Sequence, residues 1–168
     1  MIFPQLPDDA RVWIYTAHRS LTEQESHQLV ALLTPFLQQW TYHGKPVQGA
    51  ADVLYHRFLV IGASDPEISG CGIDASTRAV EDAGKALDIQ WLSSLTVCYR
   101  TPSGTIEAIP RHEFRKRVRN GLITAQTPVF DTSITTLQAL RTSFEKPAAS
   151  SWHARIFRIP ASSQIQAP

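Results

Sequence analysis

The stretch RSLTEQESHQLVALLTPFLQQW carries an amphipathic helical period between two β-rich runs, and that arrangement limits the folds open to this chain more than any other feature. Ser20 and Glu23 have capping-box spacing, and Leu29, Leu33, Phe36, Leu37 and Trp40 recur at intervals that place them on one face of a helix. The spacing predicts a helix opening at Ser20, with Pro35 either kinking it or restarting it behind Thr34 as cap. Upstream, RVWIYTA is apolar on both faces and reads as a central strand. Downstream, AADVLYHRFLVIGAS carries two apolar runs around Tyr55, His56 and Arg57 and reads as a β-hairpin.

A Ser-, Gly- and Pro-rich loop over residues 64–74 leads to a second helix, expected over about residues 75–87 with Val80, Ala83 and Leu87 inward. SLTVCYR and TIEAIPR are two strands joined by TPSG, whose proline and glycine suit a type I turn. RHEFRKRVRNG forms a short helix with Phe114 and Val118 inward and Gly121 just past its end. TPVFDT adds a short strand and TTLQALRTSF a short helix.

The order of elements predicts an α+β protein: a ferredoxin-like βαββαβ core, its antiparallel sheet covered on one face by two helices, with a C-terminal helical and mixed extension at an edge or on the open face. No repeat or linker breaks the chain of 168 residues, so one domain is expected over 1–158, with 159–168 as a flexible C-terminal tail. Sixteen Lys and Arg against fifteen Asp and Glu give a formal charge of +1, which supplies no global field to draw in nucleic acid or an anionic membrane. The start MIFPQLPDDARVW has no basic segment followed by an apolar one, and no run reaches bilayer length, so a cytoplasmic protein with no membrane partner is expected. Cys71 and Cys98 are then read as reduced thiols.

The stretches RVWIYTA, WTYHGKPV, YHRFLVIGAS, SGCGIDAS and SSWHARIF, in this order and spacing, resemble a small family of bacterial proteins of similar length that often carry the label ABC transporter ATPase. The resemblance implies a compact domain and transfers no site. An ATPase of that class needs a glycine-rich loop ending in Lys-Ser or Lys-Thr. Here Lys45 is followed by Pro46 and Gly84-Lys85 lies inside a helix, so the residues exclude the labelled chemistry.

Candidate chemistry centres on SGCGIDASTR. With Asp74 capping a helix that begins at Ala75, free backbone amides would face the loop holding Cys71, an environment that attracts anions and favours thiolate. Gly70 and Gly72 would let the backbone approach a ligand, and Ser76 stands in the next turn. Six residues, Gly72 to Thr77, separate Cys71 from Arg78, one more than in the phosphate loop of cysteine phosphatases. The extra residue turns the guanidinium about 100° around the helix, which argues against that chemistry.

A nucleophilic cysteine needs a base, and His43 and His153, each close behind a tryptophan, are the candidates; the bland reading makes Cys71 a core filler and each histidine structural. Arg57 and Arg155 could join tryptophans in lining a pocket. No histidine pair has metal-ligand spacing, and no metal or cofactor is expected. The basic cluster of Arg111, Arg115, Lys116, Arg117 and Arg119 suggests nucleic acid, yet its single aromatic, Phe114, is needed inside, so a solvated face is the stronger reading. The expected function is a small-anion or thiol site at Cys71. The alternative is a non-catalytic interaction module, a homodimer joined through a sheet edge or face.

Overall fold

A computed structural model describes residues 1–161. The protein is mixed α and β with antiparallel sheets, and its contacts gather into two compact units, Met1–Ser93 with Ser133–Thr142, and Ser94–Thr132 with the segment from Ser143 onward. The expected tail starts with Ile159, which is buried; its residues 162–168 lie outside those described.

The first unit is built on β1 (Arg11–Thr16), α1 (Glu23–Gln39), the small hairpin β2 (Thr41–Tyr42) and β3 (Lys45–Pro46), the hairpin β4 (Gly49–Leu54) and β5 (Phe58–Ala63), and α2 (Cys71–Ala86). Its sheet has the order β1-β5-β4. β5 pairs antiparallel with both neighbours, Trp13 and Ala51 both opposite Ile61. Tyr55 and His56 both have φ near +50°, and Arg57 N donates to Leu54 O, which closes the β4–β5 hairpin with the left-handed pair that matches strand twist. Leu29 and Leu33 of α1, Val80 and Ala83 of α2, and Leu59, Ile61 and Ala63 of β5 form the core between helices and sheet. Every second residue of β5 contributes, as a pleated strand requires.

The cap of α1 differs from the expected one. Thr22, not Ser20, is the N-cap: its hydroxyl accepts from Glu25 N at 3.1 Å, and the Glu25 carboxylate accepts from Thr22 N at 2.8 Å. Arg19 then grips both oxygens of Glu25 at 2.8 and 2.9 Å. That guanidinium and the Thr22 amide hold the Glu25 carboxyl down at about 2. The reciprocal cap two residues later wins because it satisfies two helix-end donors and engages a cation as well. Nor does the helix stop at Pro35. Ala31 and Pro35 are both exposed, so the carbonyl that loses its bond to proline faces water.

The expected four-stranded sheet is not formed by these elements. After α2 the chain meets β1 and its flank through two isolated bridges in place of a strand, Ala17↔Trp91, with His18 N donating to Gln90 O and Leu92 N to Thr16 O, and Arg11↔Thr136, with Val12 N donating to Thr135 O. Gly84 allows this return, because a Cβ there would lie 2.6 Å from Trp91 Nε1, whose indole donates to Val80 O.

The second unit takes the later hairpin, β6 (Val97–Arg100) with β7 (Ile106–Ile109), into a sheet of its own, joined by β8 (Pro128–Phe130) and β9 (Glu145–Pro147) in the order β7-β6-β8-β9. Residues from the C-terminal third thus complete this sheet. Helix α3 (Arg111–Arg119) ends at Asn120, with Gly121 left-handed at φ +73° as its spacing required. Between β8 and β9 the chain forms α4 (Leu137–Ser143), counted mainly with the first unit. A 3-10 turn at Ala148–Ser150 leads into α5 (Trp152–Phe157). Val97, Tyr99, Ile109 and Val129 of the sheet close over Phe114 and Phe157, whose rings lie 4.6 Å apart.

Candidate functional site: the hollow at the start of the second helix

Trp40 is the last residue before β2, buried, and its indole Nε1 donates to Gly72 O at 3.2 Å. That bond ties the start of α2 to the β2–β3 hairpin. His43 and Gly44, with φ of +50° and +73°, make the hairpin's two-residue turn. The His43 ring is exposed and lies 4.1 Å from that of Tyr42. The Tyr42 hydroxyl reaches Ser69 Oγ at 2.9 Å. A surface hollow of about 420 Å3 results, lined by Thr41, Tyr42, His43, Ser69, Gly70, Cys71 and Gly72. Two residues that sequence reasoning linked only through chemistry, Cys71 and His43, therefore share one cavity.

Local structure at Cys71 departs from expectation. α2 begins at Cys71 itself, four residues earlier than its apolar stripe suggested, with Gly70 as N-cap at φ +50°. Asp74 is consequently not the cap; it is an exposed residue of the first turn whose amide donates to Gly70 O. Because a glycine cap has no side chain, nothing from it reaches the first turn. Ser69 O takes the Gly72 amide, while the Cys71 and Ile73 amides have no acceptor outside the helix among the described residues. Cys71 is exposed, and a Cβ built on Gly70 meets nothing within 4 Å, so the cap faces open space. Gly72 is required for a different reason than ligand approach: it is buried, and a Cβ there would come within 2.7 Å of Ile68 and 3.0 Å of Tyr42.

The other expected residues lie elsewhere. Ser76 is buried and its hydroxyl donates to Ile73 O, so it does not reach the hollow. Arg57 sits in the β4–β5 turn, its Nε donating to Ala17 O at 2.9 Å. Arg155 is exposed on α5 in the second unit and lines no part of the hollow. His153 is 1% exposed in the second unit's core, stacked 3.8 Å from Trp152, with Nδ1 held at 2.6 Å from Ser151 Oγ. Burial, partly offset by Asp131 and reinforced by Lys146, pushes its imidazole down to about 4. A sealed, neutral ring of this kind is structural.

Of the basic cluster, Arg117 is already used: it binds Glu107, Glu113 and the Tyr99 hydroxyl. Those partners raise its pKa, while burial raises that of Tyr99. Tyr42, Thr41 and Ser69 are the hollow's residues that the sequence alone did not single out. WTYHG marked their neighbourhood only through its aromatics.

Among the described residues no group of three or more His, Cys, Asp or Glu gathers to hold a metal ion, and no helix is long and apolar enough to cross a membrane. Compared with known proteins, the chain matches no family model, no curated protein and no solved structure.

Proposed function

We propose that the hollow at the start of α2 binds a small anion beside the thiol of Cys71, with His43 as the group that can take the thiol proton. The observation that carries this reading is the meeting of an exposed cysteine, an exposed histidine and a helix start without side-chain cap in a single cavity. Backbone amides at a helix start supply donors and positive potential for an anion, and imidazole is the usual partner of an activated thiol. Gly70 keeps the approach to those amides open.

The test is alkylation of Cys71 with a neutral maleimide across pH, in the full chain. Cys98 is buried, so labelling reports residue 71, and Cys71→Ser supplies the blank. His43→Ala is expected to slow labelling near neutral pH, and inorganic phosphate is expected to protect more than chloride at equal ionic strength. Equal rates with and without His43, together with no protection, would remove the proposal.

Two further readings belong here. The β1-β5-β4 order supports viewing the first unit as a ferredoxin-like core whose last strand has shrunk to the bridge at Trp91. Kinship with the small bacterial family, and a cytoplasmic setting, rest on the sequence stretches alone. The rival homodimer reading has less in its favour at the β4 edge, where exposed Asp52 places a charge that discourages strand pairing.

A further inference from the structure

In the second unit a separate hollow of about 610 Å3 opens between α3 and the end of α5. Its lining combines three exposed cations, Arg115, Arg119 and Arg158, with the apolar side chains of Val118, Ile156 and Pro160. Phe157 also lines it, its ring 5.5 Å from the Arg115 guanidinium, a cation–π contact that holds that cation at the hollow. No carboxylate lines the hollow, and none of the three arginines has an ion-pair partner among the described residues. Arg115 and Arg119 stand four apart on one helix, where like charges repel. In contrast, the neighbouring Arg117 is fully matched by Glu107 and Glu113.

Arg158 adds a second cost. It is the C-cap of α5 at φ 52° and ψ 49°, a left-handed position that glycine normally fills. The fold therefore keeps an arginine where glycine would suit the backbone better, and that arginine lines the same hollow as two others. Ile156 leaves 42% of its surface exposed at the same place.

We infer that this groove binds an amphiphilic organic phosphate: three guanidiniums hold the phosphate, and the apolar lining of Val118, Ile156 and Pro160 takes an alkyl or aryl body. A cavity of this size falls within the range of about 300–1,000 Å3 usual for small ligands. Guanidinium forks match phosphate oxygens in pairs. A single-stranded nucleic acid would want exposed aromatic rings to stack on, and Phe157 is only 5% exposed. The site shares no residue with the hollow at Cys71, and the two stand or fall separately.

Calorimetric titration of the full chain with hexyl phosphate, 1-hexanol and inorganic phosphate, at fixed ionic strength, tests the inference. Hexyl phosphate should bind more tightly than either half-ligand. Arg119→Gln and Arg158→Gly should each weaken it about fivefold, as loss of a charge-assisted contact at an exposed site implies. Arg158→Gly should do so without lowering the melting temperature, since glycine relieves the backbone, which separates binding from folding. Cys71→Ser should bind as the wild type does. Unchanged affinity in either arginine variant, or equal binding of hexanol, would overturn the assignment. So would an acidic peptide or single-stranded RNA that competes with hexyl phosphate at lower concentration.

Discussion

Protonation of His153 should destabilise the second unit's core, and the size of the effect follows from its surroundings. The ring is 1% exposed, stacked 3.8 Å from Trp152 with Phe157 6.2 Å away, and its folded pKa of about 4 lies below the 6.5 of an unperturbed histidine. A lowered histidine pKa means that the unfolded chain takes up the proton first. Stability from this group is therefore complete above pH 6.5 and is lost as pH falls from 6.5 towards 4. The difference of 6.5 minus 4, at 1.36 kcal/mol per pH unit, amounts to about 3 kcal/mol once pH reaches 4. His153→Asn keeps a polar atom near the position of Nδ1 to meet Ser151 Oγ and removes the titration. Urea unfolding followed by circular dichroism at pH 7 and pH 4 is the assay. All other titrating groups cancel between the two proteins, so the wild type should lose about 3 kcal/mol more than the variant on acidification. Equal losses would show that the ring is not the buried neutral base described here.

Thr22→Ala should cost about 1 kcal/mol of stability through loss of the capping box, while Ser20→Ala should change it by less than about 0.5 kcal/mol; the reverse ranking would return the cap to Ser20. Gly84→Ala sets a helix gain of about 1 kcal/mol against a Cβ placed 2.6 Å from Trp91 Nε1 and 2.9 Å from Ile89 O. The clash with a backbone carbonyl should win, leaving a net loss of about 1 to 2 kcal/mol in thermal unfolding, and a stabilised variant would refute the close approach.

Part of the hollow is legible in the sequence. Cys71, Gly70 and His43, which the sequence singles out because a thiol needs a base as partner, line one hollow. His153 looked equivalent on the same grounds: it too follows a tryptophan in a polar stretch. Nothing local distinguishes the two. One ring sits at a hairpin tip and the other under Phe114 and Phe157, and that contrast arises from contacts with residues far away in the chain. The start of α2 is not visible in the apolar period because its first two turns present Gly72 and Ser76 inward, small residues that carry no such period.

Sequence alone determined the elements and their turns. The 3.6-residue stripe of α1, the two hairpins, the short helix ending before Gly121 and the absence of a phosphate-binding glycine loop all depend on residues within a few positions of each other. Tertiary structure decided which strands share a sheet, and so placed the later hairpin, β6 with β7, in a different sheet from β1, β4 and β5. Strands with similar apolar patterns are interchangeable locally; only burial against particular helices selects the pairing. The same packing sealed His153, exposed Cys71, and brought Arg158 beside Arg115 and Arg119, since burial and the meeting of distant charges are properties of the folded chain and not of any short segment.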